Sequence, residues 1–246
     1  MASTGGVDAW GFRDTDSQTY HQLYNGRKYF QQQQFDIDTR TALADYLDPN
    51  TVGSGYYNAS QNMNQALLKG NMNAQQQFMY DSIMAGMHNV GYNVNLTRYD
   101  HGDALDAMLK QATGGKTKSA SGLSISQLKN MLVGSKYSDK RILSTSYNDF
   151  KNAKDPSTFN TRMVKITYQT SAGSQGLMPG IGATPMRGSG MKRGDDFGEF
   201  LLAPTGNGHN NYEIVDIKYS GKMARQKGMS TSYLTHKQIE VVVKVD

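Results

Sequence analysis

Three places in the 246-residue chain set a polar side chain capable of chemistry at the end of a strand-like run. Arg98 follows "YNVNL" and lies in phase with Tyr92, Val94 and Leu96. An arginine in register with an apolar face either snorkels out at the strand end or is aimed into a cleft, where its planar fork suits phosphate oxygens. "RILSTS" leads a hydrophobic approach into three consecutive hydroxyls, Ser144, Thr145 and Ser146. Glu199 stands directly before "FLL". A charge drawn into such a position needs a partner, because burying it alone is expensive. Each residue also has an ordinary reading: a solvated or paired surface charge for the arginine and the glutamate, a turn or cap for the hydroxyls.

Other chemistries fit less well. "GGKTK" (Gly114 to Lys118) resembles the end of a phosphate-binding loop, but the position five before Gly115 is Lys110 and no apolar strand precedes it. "GIG" at 180–182 has no strand-turn-helix context. The five histidines show no metal-type spacing, and cysteine is absent, so thiolate zinc sites, thiol nucleophiles and disulfides are excluded. No metal site is expected.

The elements that must position these residues follow from patterning. Residues 1–34 are polar, end in "QQQQ", and read as an N-terminal arm before a domain over 35–246. Helical signals run from Phe35 to His88. "DTRTALADYL" has Asp38 or Thr39 as its N-cap and Pro49 as its stop; "NASQNMNQALLKG" closes on Gly70; Met79, Ile83 and Met87 are four apart. "ISQLKNMLVG" is helical again. "YNVNLTRY", "RILSTS", "RMVKITY", "GEFLLAP", "YEIVDIKY" and "IEVVVKV" read as strands. Helices first and strands later predict an α+β fold with a mainly antiparallel sheet. The glycine-rich stretch between Gly176 and Glu199 is long enough to be a functional loop.

Composition sets looser limits. The net charge of +5 suits a polyanionic ligand without demonstrating nucleic-acid binding, since the linear sequence has no dense Lys/Arg cluster interleaved with aromatics. No apolar run reaches membrane-spanning length, and "MASTGGVDAWGF" lacks the basic and apolar regions of a secretory signal. A cytoplasmic protein, or one delivered into a host cell as an effector or virion component, is expected.

An arginine, a Ser-Thr-Ser and a glutamate at successive strand ends, in this order, resemble the R-S-E class of mono-ADP-ribosyltransferases, which includes the clostridial binary and C3-like toxins and phage effectors. The resemblance extends to "YLDPNTVGSGYYNASQNMNQALLKG", with Asn64 and Leu67 as its Asn-x-x-Leu ending, to "FNTRMVKITY" after the hydroxyls, and to "GEFLLAP" followed by "YEIVDI". It covers roughly Ala42 to the C-terminus.

The resemblance implies a two-sheet β core, NAD+ as substrate without a metal, cleavage of the nicotinamide–ribose bond, and transfer of ADP-ribose to a macromolecular acceptor, a protein in the first instance, with nucleic acid left open. By the same resemblance Glu199 stabilises the positively charged ribose. Ser144 orients that carboxylate, Thr145 and Ser146 support the strand end, and Arg98 binds the NAD phosphates or the adenosine side. The Tyr99 backbone faces the nicotinamide amide, Phe159 packs on the nicotinamide end, and Arg162 holds the pyrophosphate. Phe197, with Asp196 beside it, stands where the toxins carry the Glu or Gln that engages the acceptor. That departure keeps a NAD+ glycohydrolase on the same fold as a rival reading. A non-catalytic structural or virion-associated module is the second rival.

Overall fold

The computed structural model describes residues 35–47, 59–91, 93–100, 102–146, 164–178, 199–206, 209–227 and 233–246. The expected N-terminal arm, residues 48–58, Tyr92, Phe159, Arg162, Asp196, Phe197 and most of the glycine-rich stretch lie outside these residues. The described chain divides into two compact units.

The first unit holds helices α1 (Ile37–Leu47), α2 (Ala59–Lys69) and α3 (Ala74–Ala85) and strands β1 (His88–Asn89), β4 (Leu143–Ser146), β6 (Gln175–Leu177) and β7 (Glu199–Leu202). The strands lie in the order β1-β6-β7-β4, each pair antiparallel. Phe35, Leu43 and Tyr46 from around α1, Met63 from α2, and Met79 and Ile83 from α3 form one buried cluster with Ile142, Leu177 and Leu201.

Local chemistry explains the helix ends. Asp36 caps α1: its Oδ1 accepts the Thr39 amide at 2.6 Å, and that bond leads the causes holding its carboxyl below the ordinary value. Asp38 and Thr39, the expected caps, lie inside the helix; the Thr39 hydroxyl instead donates to the Ser82 carbonyl at 2.9 Å. Gly70 does end α2, with φ +67°. Its amide donates to the Leu67 carbonyl, and Asn71 reaches back to the Ala66 carbonyl. Asn73 and Gln76 close a reciprocal capping box on α3. The helix stops at Ala85, so Met87 packs on the cluster from outside it.

The second unit holds α4 (Gly102–Ala112), α5 (Ile125–Leu132), β2 (Val94–Asp100), β3 (Lys136–Tyr137), β5 (Val164–Thr170), β8 (Tyr212–Lys227) and β9 (Tyr233–Val245). The strand order is β2-β5-β9-β8-β3; β5 and β9 are parallel and the other pairs antiparallel. α4 packs against β3 and β5, and α5 against β8. "GGKTK" lies at the end of α4: Gly114 and Gly115 have positive φ and return hydrogen bonds to the Gln111 and Lys110 carbonyls. The glycine pair closes a helix, whereas a phosphate-binding loop would open one.

The α+β class and the mainly antiparallel pairing agree with the expectation; the division into two sheets is not part of that agreement. The stretch read as a loop from Gly176 begins within β6, where Gly176 and Leu177 are buried. Among the described residues no helix is long and apolar enough to cross a membrane.

Three buried tyrosines form part of the interior of the second unit. The Tyr137 hydroxyl donates to that of Tyr168 at 3.3 Å, and Tyr212 lies with ring centroids 5.4 Å from Tyr137 and 5.7 Å from Tyr168. Burial raises all three phenols, Tyr168 to about 12 and the others well above the ordinary value. A phenol whose folded pKa exceeds its unfolded value of about 10 binds more proton when folded, so stability falls as pH rises through that window. Urea unfolding should give a stability that is flat between about pH 8 and pH 9 and declines above about pH 10. Tyrosine absorbance should show a late-titrating class that disappears on unfolding. Stability unchanged up to pH 11 would mean that the trio is solvated.

Two glycines of the first unit predict different losses. A Cβ on Gly70 meets nothing within 4 Å, so Gly70→Ala should lose only the conformational term of the left-handed region, about 1–2 kcal/mol, and Gly70→Asn less. A Cβ on Gly176 would lie 2.7 Å from the Leu201 carbonyl oxygen and run into the Phe200 ring. Gly176→Ala should therefore lose more than Gly70→Ala in denaturant midpoint, and the reverse order would contradict this packing.

Candidate active site

The sequence-predicted residues fall into two sets, one in each unit. In the first, the Ser-Thr-Ser run is strand β4, and Glu199 is the first residue of the strand paired with it. The register sets Ser146 opposite Glu199, Thr145 opposite Phe200 and Ser144 opposite Leu201. Residues directly opposite one another share a face and the face alternates along the strand. Position 199 therefore shares its side of the ladder with Ser146 and, one diagonal away, with Ser144.

Burial grades these hydroxyls. Ser146 is 1% exposed and Thr145 5% exposed, while Ser144 is half-buried. Thr145 lies on the other side of the strand, and its Oγ1 donates to the Phe200 carbonyl at 2.7 Å. That hydroxyl ties β4 to β7. The neighbouring apolar residues make the tie rigid: Leu143, Phe200, Leu201 and Leu202 are all buried.

In the second unit Arg98 occupies β2 opposite Ile166, with Leu96 opposite Tyr168 and Asp100 opposite Val164. The arginine thus lies on the apolar side of its strand, as its phase in the sequence predicts. Its Nε donates to Asp100 Oδ2 at 3.0 Å, and both side chains are largely withdrawn from solvent, at 22% and 16% exposed. The positive charge of Arg98 also reaches Tyr168, where it opposes the larger effect of burial on the phenol. Tyr99 is buried on the opposite side of the strand, in register with Lys165.

Asp100 is the residue that the sequence reading did not single out. The signal was present: a carboxylate two positions after an in-phase arginine falls on the same side of a strand, where the two can pair. Among the described residues no group of His, Cys, Asp and Glu is arranged to hold a metal ion.

The sequence matches no family model, and no curated protein is significantly similar to it. Solved structures are similar in fold. The C3 exoenzyme of Clostridium limosum superimposes with a TM-score of 0.57 at 18% identity, covering 93% of this chain and 94% of that one. Plx2a, an ADP-ribosyltransferase toxin from Paenibacillus larvae, gives 0.59 at 15% identity over 95% and 98%. BECa, an ADP-ribosylating toxin of a binary enterotoxin of C. perfringens solved with NADH, gives 0.57 at 13% identity and covers 96% of this chain but 49% of that one. The chain has the fold of the C3-like ADP-ribosyltransferase toxins.

Proposed function

We propose that the protein is a mono-ADP-ribosyltransferase, which cleaves NAD+ between nicotinamide and ribose and passes ADP-ribose to a macromolecule. The observation that carries this reading is the pairing of the Ser-Thr-Ser strand with the strand opened by Glu199, in register at Ser146. It occurs in a fold shared almost end to end with toxins of that activity. The NADH in the BECa structure supports the same class of ligand.

The nicotinamide of NAD+ is already cationic. When the bond from its ring nitrogen to ribose C1′ breaks, the electron pair goes to that nitrogen and neutral nicotinamide leaves without protonation. Positive charge then builds on the ribose, as in glycoside cleavage. A fixed carboxylate stabilises it, and this is the role of Glu199. Ser146 stands opposite, and Ser144 is the diagonal neighbour, within reach of a side chain as long as glutamate. A hydroxyl suits the task of orienting this carboxylate because it leaves the negative charge intact. The acceptor's lone pair completes the new bond to C1′, and its proton is lost.

Arg98 would take phosphate oxygens, with Asp100 holding the guanidinium at Nε so that its outer end faces the ligand. The remaining roles carry over from the resemblance: Tyr99 and Phe159 at the nicotinamide, Arg162 at the pyrophosphate, Phe197 and Asp196 toward the acceptor.

Incubation of the full chain with labelled NAD+ and a cell lysate should label a macromolecule. Glu199→Gln should lower turnover by about 10²–10³-fold with little change in NAD+ affinity. Near-parental cleavage by that variant would remove Glu199 from the mechanism. Free labelled ADP-ribose with no labelled macromolecule would replace transfer with hydrolysis, the rival that the Phe197 departure keeps open.

Arg98→Lys should weaken NAD+ binding although the charge remains, because the fork geometry is lost. Asp100→Asn should raise KM by roughly tenfold, the scale of one charge-assisted hydrogen bond, with kcat nearly unchanged. An unchanged KM in Asp100→Asn would make the Arg98–Asp100 pair a surface ion pair only.

A further inference from the structure

Asn64 opens the Asn-x-x-Leu run near the end of α2 and is half-buried beside Met63, a member of the core cluster. Its amide is used unevenly. Nδ2 donates to the Ile142 carbonyl at 3.4 Å and to the Tyr46 hydroxyl at 3.5 Å. Oδ1 is buried and has no hydrogen-bond partner among the described residues. Tyr46, near the end of α1, donates its hydroxyl to the same Ile142 carbonyl at 3.4 Å. Side chains from two helices thus converge on one backbone oxygen.

The place of that oxygen gives the convergence its meaning. Ile142 is 1% exposed and stands one residue before β4, whose ladder with β7 begins at Leu143. A buried carbonyl outside a ladder needs a donor from elsewhere, and here both donors are side chains. Ser144 follows two positions later, about 7 Å along the strand. Thr145 ties the middle of β4 to β7. Tyr46 and Asn64 tie its beginning to the helices. Stability alone does not account for an asparagine at 64. A buried acceptor without a partner carries its full desolvation cost, and leucine, branched at the same carbon, would carry none.

We propose that Asn64 and Tyr46 are positioning residues for the hydroxyl strand: by holding the Ile142 carbonyl they fix the backbone of Ser144 and Ser146 against that of Glu199. The proposal rests on NAD+ cleavage at Glu199. Positioning of this kind acts on the alignment reached in the transition state, so it belongs to kcat rather than to the affinity for NAD+.

The test measures nicotinamide release by the full chain, together with unfolding midpoints. Asn64→Leu should lower kcat by about fivefold, with KM for NAD+ nearly unchanged and a midpoint no lower than the parental one. Tyr46→Phe should lower kcat in the same way. The double variant should lose more than the product of the two, because either donor alone still holds the carbonyl. Ala66→Gly weakens α2 through its backbone and should lower the midpoint while leaving kcat parental. A raised KM with unchanged kcat in Asn64→Leu would make Asn64 a ligand contact and overturn the proposal. So would a double variant that is simply multiplicative, or a kcat loss in Ala66→Gly as large as that in Asn64→Leu. A parent chain that releases no nicotinamide would end the NAD+ reading, and amide hydrogen exchange would then decide the positioning by itself. The amides of Leu143 to Ser146 should exchange roughly tenfold faster in the double variant than in the parent, and at the parental rate in Ala66→Gly. Unchanged exchange there would overturn the proposal, and Tyr46→Phe read in the same way decides it if the double variant does not fold.

Discussion

A slip of one residue between β4 and β7 would send Ser144, Ser146 and position 199 to opposite sides of the ladder, because side chains alternate strictly along a strand. The register is therefore the constraint on which the candidate site depends. Several features of the first unit hold it. Thr145 is bonded to the Phe200 carbonyl across the pair, and Phe200, Leu201 and Leu202 are each buried. Gly176 on β6, opposite Leu202, leaves the space that the Phe200 ring occupies. A hydroxyl at 145 and a missing Cβ at 176 thus fix where the backbone at 144, 146 and 199 can be.

The second unit meets a different constraint, the cost of withdrawing an arginine from water. Tyr168 is a neighbour of Arg98, but with a phenol held at about 12 it is neutral at physiological pH and acts as a dipole. Asp100 provides the opposite charge, from the same face of the same strand. The pair needs no loop closure to form, since both residues belong to one extended segment. Ordering the guanidinium in advance also lowers the entropy lost on binding an anion.

How much of this could be read in the sequence depended on whether the signal was local. Gly70 was legible because a left-handed helix end needs the residue type found there. The strand phases of Val94–Leu96–Arg98 and Val164–Ile166–Tyr168 were legible because one face is buried. The cap of α1 was misplaced by two or three residues. Thr39 has the chemistry of a cap, but its hydroxyl goes to Ser82, 43 positions away, and no local pattern reveals that. The short strands β1, β3 and β6 were missed because two or three residues carry no periodicity; only their partners define them. The β4–β7 register was likewise invisible, since it is set by tertiary packing on strands more than fifty residues apart.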